Sequence, residues 1–223
     1  MGDCSFGITG KDFVILASDM NAGRGIIKMK SDENKIRALG PHLAMAYGGE
    51  TGDTEQFTDY VERNMRLYHI RNHNALLPPA ASAWIRRQLA QSLRSRKPYA
   101  VNLLLGGFDT TTSLPHLYWI DYLGTKADIP YAAHGFGMYV ALSTMDKWWF
   151  EGMPKEKGVE LLRKCINEVQ SRIVVQFNFN CILIDADGVH QLDLSASDPI
   201  ADLSRAPEKA EVEVPNPIIA APA

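Results

Sequence analysis

Cys4-Ser5-Phe6-Gly7-Ile8-Thr9, then Gly10-Lys11-Asp12, then Phe13-Val14-Ile15-Leu16-Ala17-Ser18-Asp19: the reading of this N-terminal stretch decides the fold. The runs Ser5–Thr9 and Phe13–Ser18 are short and carry β-branched and aromatic residues, and Gly10-Lys11-Asp12 between them is a hairpin-type turn. The chain therefore opens on paired antiparallel strands. Working outward, Gly23-Arg24-Gly25 reads as another turn, and Ile26–Lys28, Lys35–Leu39 and His42–Tyr47 follow as short strands, the last two joined across Gly40-Pro41. Gly48-Gly49 ends this run at a sharp turn.

The period then changes. From Glu50 to Arg71, apolar residues at Phe57, Val61, Met65 and Leu67-Tyr68 recur near the helical repeat. Pro78-Pro79 opens a second helix with the stripe Trp84-Ile85, Leu89 and Leu93, because proline is tolerated in a first turn, and Pro98 is expected to stop it. Strands return at Tyr99–Phe108 and Leu117–Tyr122, joined by the polar turn Asp109–Ser113, with a third through Ile129–Ala133. Helices are expected from about Phe136 to Phe150 and from Lys155 to Val175, the latter with Val159, Leu162, Ile166 and Val169 on one face. Strands Asn180–Asp185 and Val189–Leu192, linked at Asp187-Gly188, close the chain.

Strands, two helices, strands, two helices, strands: each strand block has a face to bury against the other, and each helix pair an apolar stripe to cover. An α+β, four-layer αββα sandwich with two antiparallel sheets between two helix layers satisfies both demands. One domain is expected over residues 1–194, since chains of this length commonly hold a single core. From Ser195 to Ala223, acids, Pro and Ala dominate with no aromatics, the composition of an extended or disordered tail.

Charge and cysteine usage exclude several functions. Five acids and two bases after Ser195 carry the whole net charge of −3, leaving the body neutral. Arg63 to Phe108 holds eight Lys or Arg and no acid, which reads as a solvated helix face or a surface for an acidic neighbouring protein. No nucleic-acid motif accompanies it, so no nucleic-acid partner is expected. No apolar run reaches the roughly 18 residues of a membrane span, and the N-terminus lacks the charged-then-apolar pattern of a secretory signal, so no membrane association is expected. Cys4, Cys165 and Cys181 are too few and too far apart for a disulfide framework or zinc site, and fit a reducing compartment. The six histidines show no metal spacing, and no cofactor is expected.

Several ungapped strings resemble one family. Ala17-Ser18-Asp19, Lys35, Gly49-Glu50-Thr51-Gly52-Asp53-Thr54, Leu93-Arg94-Ser95-Arg96-Lys97-Pro98-Tyr99, Asp121-Tyr122-Leu123-Gly124-Thr125-Lys126 and Ala132-Ala133-His134-Gly135 are similar to beta-type subunits of the eukaryotic 20S proteasome core, over about Ser5 to Leu192. The Arg-Ser-Arg-Lys-Pro-Tyr and Asp-Tyr-Leu-Gly-Thr-Lys strings resemble its non-catalytic beta-4 branch, also called beta type-2. The resemblance implies the N-terminal-nucleophile hydrolase form of the sandwich. It also implies a place among alpha and beta subunits in a twenty-eight-subunit particle of four stacked seven-membered rings, beside neighbouring beta subunits and facing the opposite beta ring. Cytoplasm and nucleus are the implied locations, and ubiquitin-dependent protein degradation the implied process.

Active members use an N-terminal Thr as nucleophile, a supporting Asp and Lys, and a Gly N–H for the oxyanion. By resemblance Asp19 matches that Asp, Lys35 that Lys and Gly49 that Gly, but the Thr position falls on Asp3, a carboxylate that offers no hydroxyl. A Ser near the start of the third helix aligns with Phe136, and the Asp-x-Gly-Ser-Gly segment of active members has no counterpart among Gln170–Phe179. Catalytic residues are therefore expected to be none, with Asp3, Asp19, Lys35, Gly49 and Phe136 marking a degenerate site. Each retained residue also has a plain structural reading: Lys35 pairs with Asp19 to hold strands, and Gly49 serves its backbone turn. The alternative is a free-standing N-terminal-nucleophile amidohydrolase using Cys4 after processing. Trp148-Trp149-Phe150 reads either as a partner anchor or as a core cap.

Overall fold

A computed structural model describes residues 3–24 and 27–194. The tail expected from Ser195, and Gly25 and Ile26 of the second turn and following strand, lie outside the described residues. The opening hairpin forms as β1 (Cys4–Thr9) and β2 (Val14–Asp19), followed by the small hairpin β3 (Ala22–Arg24) and β4 (Ile27–Lys30), then β5 (Ile36–Gly40) and β6 (Leu43–Gly49). Two helices follow, α1 (Thr51–Asn72) and α2 (Pro78–Ser92), then β7 (Val101–Asp109), β8 (Leu114–Ile120), β9 (Lys126–Asp128) and β10 (Tyr131–Gly135). Helices α3 (Phe136–Trp148) and α4 (Lys155–Arg172) precede β11 (Phe179–Asp185) and β12 (Gly188–Gln191).

The expected sandwich is present, with its layers drawn from unexpected parts of the chain. One antiparallel sheet has the order β10-β1-β2-β11-β12, and the other β5-β6-β7-β8-β9. The first strand block is thus divided: β1-β2 joins one sheet and β5-β6 the other. Strand β10 leaves its sequence neighbours to pair with β1, Cys4 opposite Gly135 and Ile8 opposite Tyr131. Helices α1 and α2 pack on the second sheet, and α3 and α4 on the first.

Two-residue alternation builds three apolar layers. On β2, Ile15 and Ala17 face the α3–α4 layer beside Val159, Leu162 and Val169, while Val14 and Leu16 face the other sheet. On β6, Leu43, Met45 and Tyr47 meet Phe57, Val61, Ile85 and Leu89 of α1 and α2, while Ala44 and Ala46 face inward beside Leu104 and Ile182. His134 joins the sheets: it is buried, stacks on Trp119 with ring centroids 4.9 Å apart, and its Nε2 lies 3.1 Å from the Leu103 carbonyl. Burial holds this imidazole down to a pKa of about 4.

Several expectations need correction. Gly23 and Arg24 lie in β3 rather than in a turn, and Gly48-Gly49 end a strand instead of following one. Helix α2 stops at Ser92, well before Pro98, where Ser92 Oγ turns back onto the Leu89 carbonyl and accepts from Tyr99 N–H. Leu67 and Tyr68 are exposed because the apolar stripe of α1 ends at Met65. Strand β9 has no apolar alternation to announce it, and the strand expected at Ile129–Ala133 runs from Tyr131 to Gly135. The last helix ends at Arg172, leaving Val174 exposed. Trp149 takes the core role, its Nε1–H donating to the Thr9 carbonyl at 2.9 Å, while Trp148 and Phe150 are exposed.

Candidate functional site

The site gathers at one end of the sandwich, where β1 begins and β2 and β6 finish. Asp19 closes β2 and is only 1% exposed. Its Oδ1 accepts from Cys4 N–H at 2.8 Å and its Oδ2 from Asn21 N–H at 3.1 Å, so one carboxylate fixes both the start of β1 and the chain after β2. The Lys35 ammonium donates to Asp19 Oδ2 at 2.9 Å and to Asp3 Oδ1 at 2.8 Å. Burial works to lower the Lys35 pKa, yet the charges of Asp19 and Asp3 outweigh it and hold the ammonium above its ordinary value. Burial raises the Asp19 carboxyl, with Lys35 pulling it back only in part.

Asp3 is the junction. Its Oδ2 accepts from Gly49 N–H at 2.7 Å, and its backbone carbonyl accepts from Phe136 N–H at 2.9 Å. Two glycines make this approach possible. Gly49 sits at φ 140°, and a Cβ there would stand 2.1 Å from the Ala100 carbonyl oxygen. Gly135 adopts φ 63° and ψ −138° as the cap of α3, and a Cβ there would fall 1.9 Å from the Asp3 carbonyl oxygen. Both conformations are ones that side-chain-bearing residues rarely adopt.

The structure therefore brings together Asp3, Asp19, Lys35 and Gly49 in direct contact. Phe136 touches this cluster through its backbone, while its ring turns toward the α3–α4 core, 6.2 Å from the Phe177 centroid. Phe177 also meets Phe179, which stacks on Phe6. Aromatic packing of Phe6, Phe136, Phe177 and Phe179 thus fills the region behind the Asp3 backbone. Sequence reasoning missed Asn21, whose buried amide donates to the Gln176 carbonyl at 2.7 Å, and it missed the bridging use of the Asp3 carboxylate. The only signal for the latter was an acid placed where a hydroxyl was expected.

A cavity of about 150 Å³ adjoins the cluster, bounded by Asp3, Lys35, Tyr47 and Gly49. Its floor offers a carboxylate and an ammonium already paired, and no hydroxyl or thiol at the Asp3 position. Cys4 is fully buried in β1, with its side chain in the α3–α4 core. Burial, and secondarily the Asp19 charge, drives its thiol well above the ordinary value, the reverse of what a nucleophile needs. Cys165 and Cys181 are also buried and pushed up to about 12. Among the described residues, no group of three or more His, Cys, Asp or Glu is arranged to hold a metal ion, and no helix is long and apolar enough to cross a membrane. The eight bases between Arg63 and Phe108 are all solvent-exposed.

Comparison with known proteins places the chain in a family. Residues 1–184 match the family described as "Proteasome subunit". The chain is 43% identical over 192 residues to proteasome subunit beta type-4 of Saccharomyces cerevisiae, covering 86% of this chain and 97% of that protein. It is 44% identical over 188 residues to a probable proteasome subunit beta type-4 of Neurospora crassa, covering 84% and 93% respectively. Proteasome subunit beta type-2-A of Arabidopsis thaliana is 42% identical over 187 residues, covering 83% of this chain and 91% of that protein. With the sandwich in place and the similarity running through nearly the full length of these relatives, the chain belongs to the proteasome subunit family, among its beta-type members.

Proposed function

We propose that this chain is a non-catalytic, structural beta subunit of the 20S proteasome core particle. It would occupy one position in each of the two seven-membered beta rings, contact neighbouring alpha and beta subunits and the opposite beta ring within the twenty-eight-subunit particle, and help wall the chamber in which its partners cleave proteins. Its place would be the cytoplasm and nucleus. The observation that carries this reading is the Asp3 carboxylate, which sits where a nucleophile is needed and holds both the Lys35 ammonium and the Gly49 N–H. The supporting residues of a threonine-type peptidase here serve an internal ion pair. Asp3, Asp19, Lys35, Gly49 and Phe136 are on this reading a degenerate site with a packing role.

The amidohydrolase alternative is not favoured. Using Cys4 would require cleaving away Asp3 and turning a fully buried thiol out of β1. The deciding experiment purifies particles through a tag on this chain, sequences its N-terminus, and treats the particle with an electrophile that labels N-terminal nucleophiles. The expected result is co-purification with alpha and beta subunits, Asp3 retained, and label on partner chains only. A monomeric chain beginning at Cys4 and carrying label would overturn the proposal.

A further inference from the structure

Asp3 behaves as a ligand as much as a structural residue. Lys35 Nζ and Gly49 N–H converge on its two carboxylate oxygens at 2.8 and 2.7 Å. The Lys35 side chain is only 12% exposed and is positioned from behind by Asp19. Gly49 owes its orientation to a backbone conformation that the Ala100 carbonyl keeps free of a side chain. A buried cation and a preset N–H form a receptor for one carboxylate, since charge-assisted bonds of this kind are the strong ones. The Asp3 side chain also fits closely, for a Cβ on Gly48 would stand 2.9 Å from Asp3 Cβ and Oδ2.

We infer that Lys35 and Gly49 form a carboxylate-binding site that the chain fills with its own Asp3, and that removing the Asp3 side chain opens it to free small monocarboxylates. The atoms deleted by Asp3→Gly are those of acetate apart from one hydrogen, so acetate is the matching probe. While Asp3 is present the site is closed to carboxylate groups from outside, including the C-termini of peptides. Asp3, Lys35 and Gly49 all belong to one chain, so the site needs no ring neighbour to form.

The test follows thermal unfolding of the full chain in sodium acetate, sodium chloride of equal ionic strength, and acetamide, a neutral molecule of nearly the same shape. In Asp3→Gly, acetate at ten times its dissociation constant is expected to raise the melting temperature by about 4 °C over chloride, with no such rise in acetamide. Wild type and Asp3→Asn, whose carboxamide still fills the site, are expected to show no acetate-specific rise. If Asp3→Gly does not fold in chloride, acetate in the refolding buffer is expected to restore soluble, cooperatively melting protein. The inference is overturned by equal responses to acetate and acetamide, by an equal acetate response in wild type, or by an Asp3→Gly chain that acetate neither stabilises nor rescues while Asp3→Asn folds.

Discussion

Removing the Lys35 ammonium by Lys35→Met tests whether the cluster at the end of β2 is an ion pair that stabilises the sandwich. Asp19 would remain 1% exposed with no cation. Breaking a buried pair by deleting one partner costs about 3–5 kcal/mol. Two backbone donors, Cys4 N–H and Asn21 N–H, still satisfy the carboxylate, so the lower end applies and about 3 kcal/mol is expected near pH 7.5. Asp3 adds little, because it is partly solvated and keeps its bond to Gly49. Burial already raises the Asp19 carboxyl, so without Lys35 it can escape by taking a proton. The cost should therefore shrink on acidification, by at most about 1.4 kcal/mol per pH unit. In an Asp19→Asn background the same change should cost about 1 kcal/mol or less, a coupling of about 2 kcal/mol. Urea unfolding of the four chains of this cycle at pH 7.5 and 5.5 measures both quantities. A coupling below about 0.5 kcal/mol, or a Lys35→Met cost that is the same at both pH values, would refute the reasoning.

His134 predicts a second pH effect. Its pKa is about 4 in the fold against 6.5 for the ordinary imidazole, so on acidification the unfolded chain takes a proton that the folded chain refuses. Stability is lost as pH falls from about 7 toward 4, by about 2 kcal/mol between pH 7 and 5 for this group alone. Replacing it with Gln should remove that part of the slope in urea unfolding, and an unchanged slope would show that the ring titrates normally. Gly135→Ala is expected to cost about 3 kcal/mol or more, since the new methyl meets the Asp3 carbonyl in a conformation alanine avoids. Thermal melting would measure it, and a change within about 0.5 kcal/mol would mean that β1 and α3 can separate freely here.

What could be read along the chain is what local chemistry dictates. Gly10-Lys11-Asp12 marks a hairpin, Val159, Leu162, Ile166 and Val169 define a helix face, and the short apolar run Val14–Ala17 reads as a strand, whose two faces the fold buries. Those signals suffice for a layered α+β sandwich. The family strings also drew attention to Asp19, Lys35 and Gly49, which the fold brings to one place around Asp3. Helix ends were less legible, as at Ser92, because a side chain closing back on its own turn competes with the proline that follows.

The sequence by itself determined that the chain has no hydroxyl or thiol at Asp3, since that is a matter of residue identity alone. Only the tertiary structure decided what the carboxylate does there. Sheet membership is set by which apolar faces find each other, so β10 leaves β8 and β9 to lie beside β1, carrying Gly135 against Asp3. The same folding brings Lys35 and Gly49, distant along the chain from Asp3 and from each other, to the two oxygens of one side chain. No local pattern records that meeting, because the contact energy that fixes it is shared among three separate strand ends.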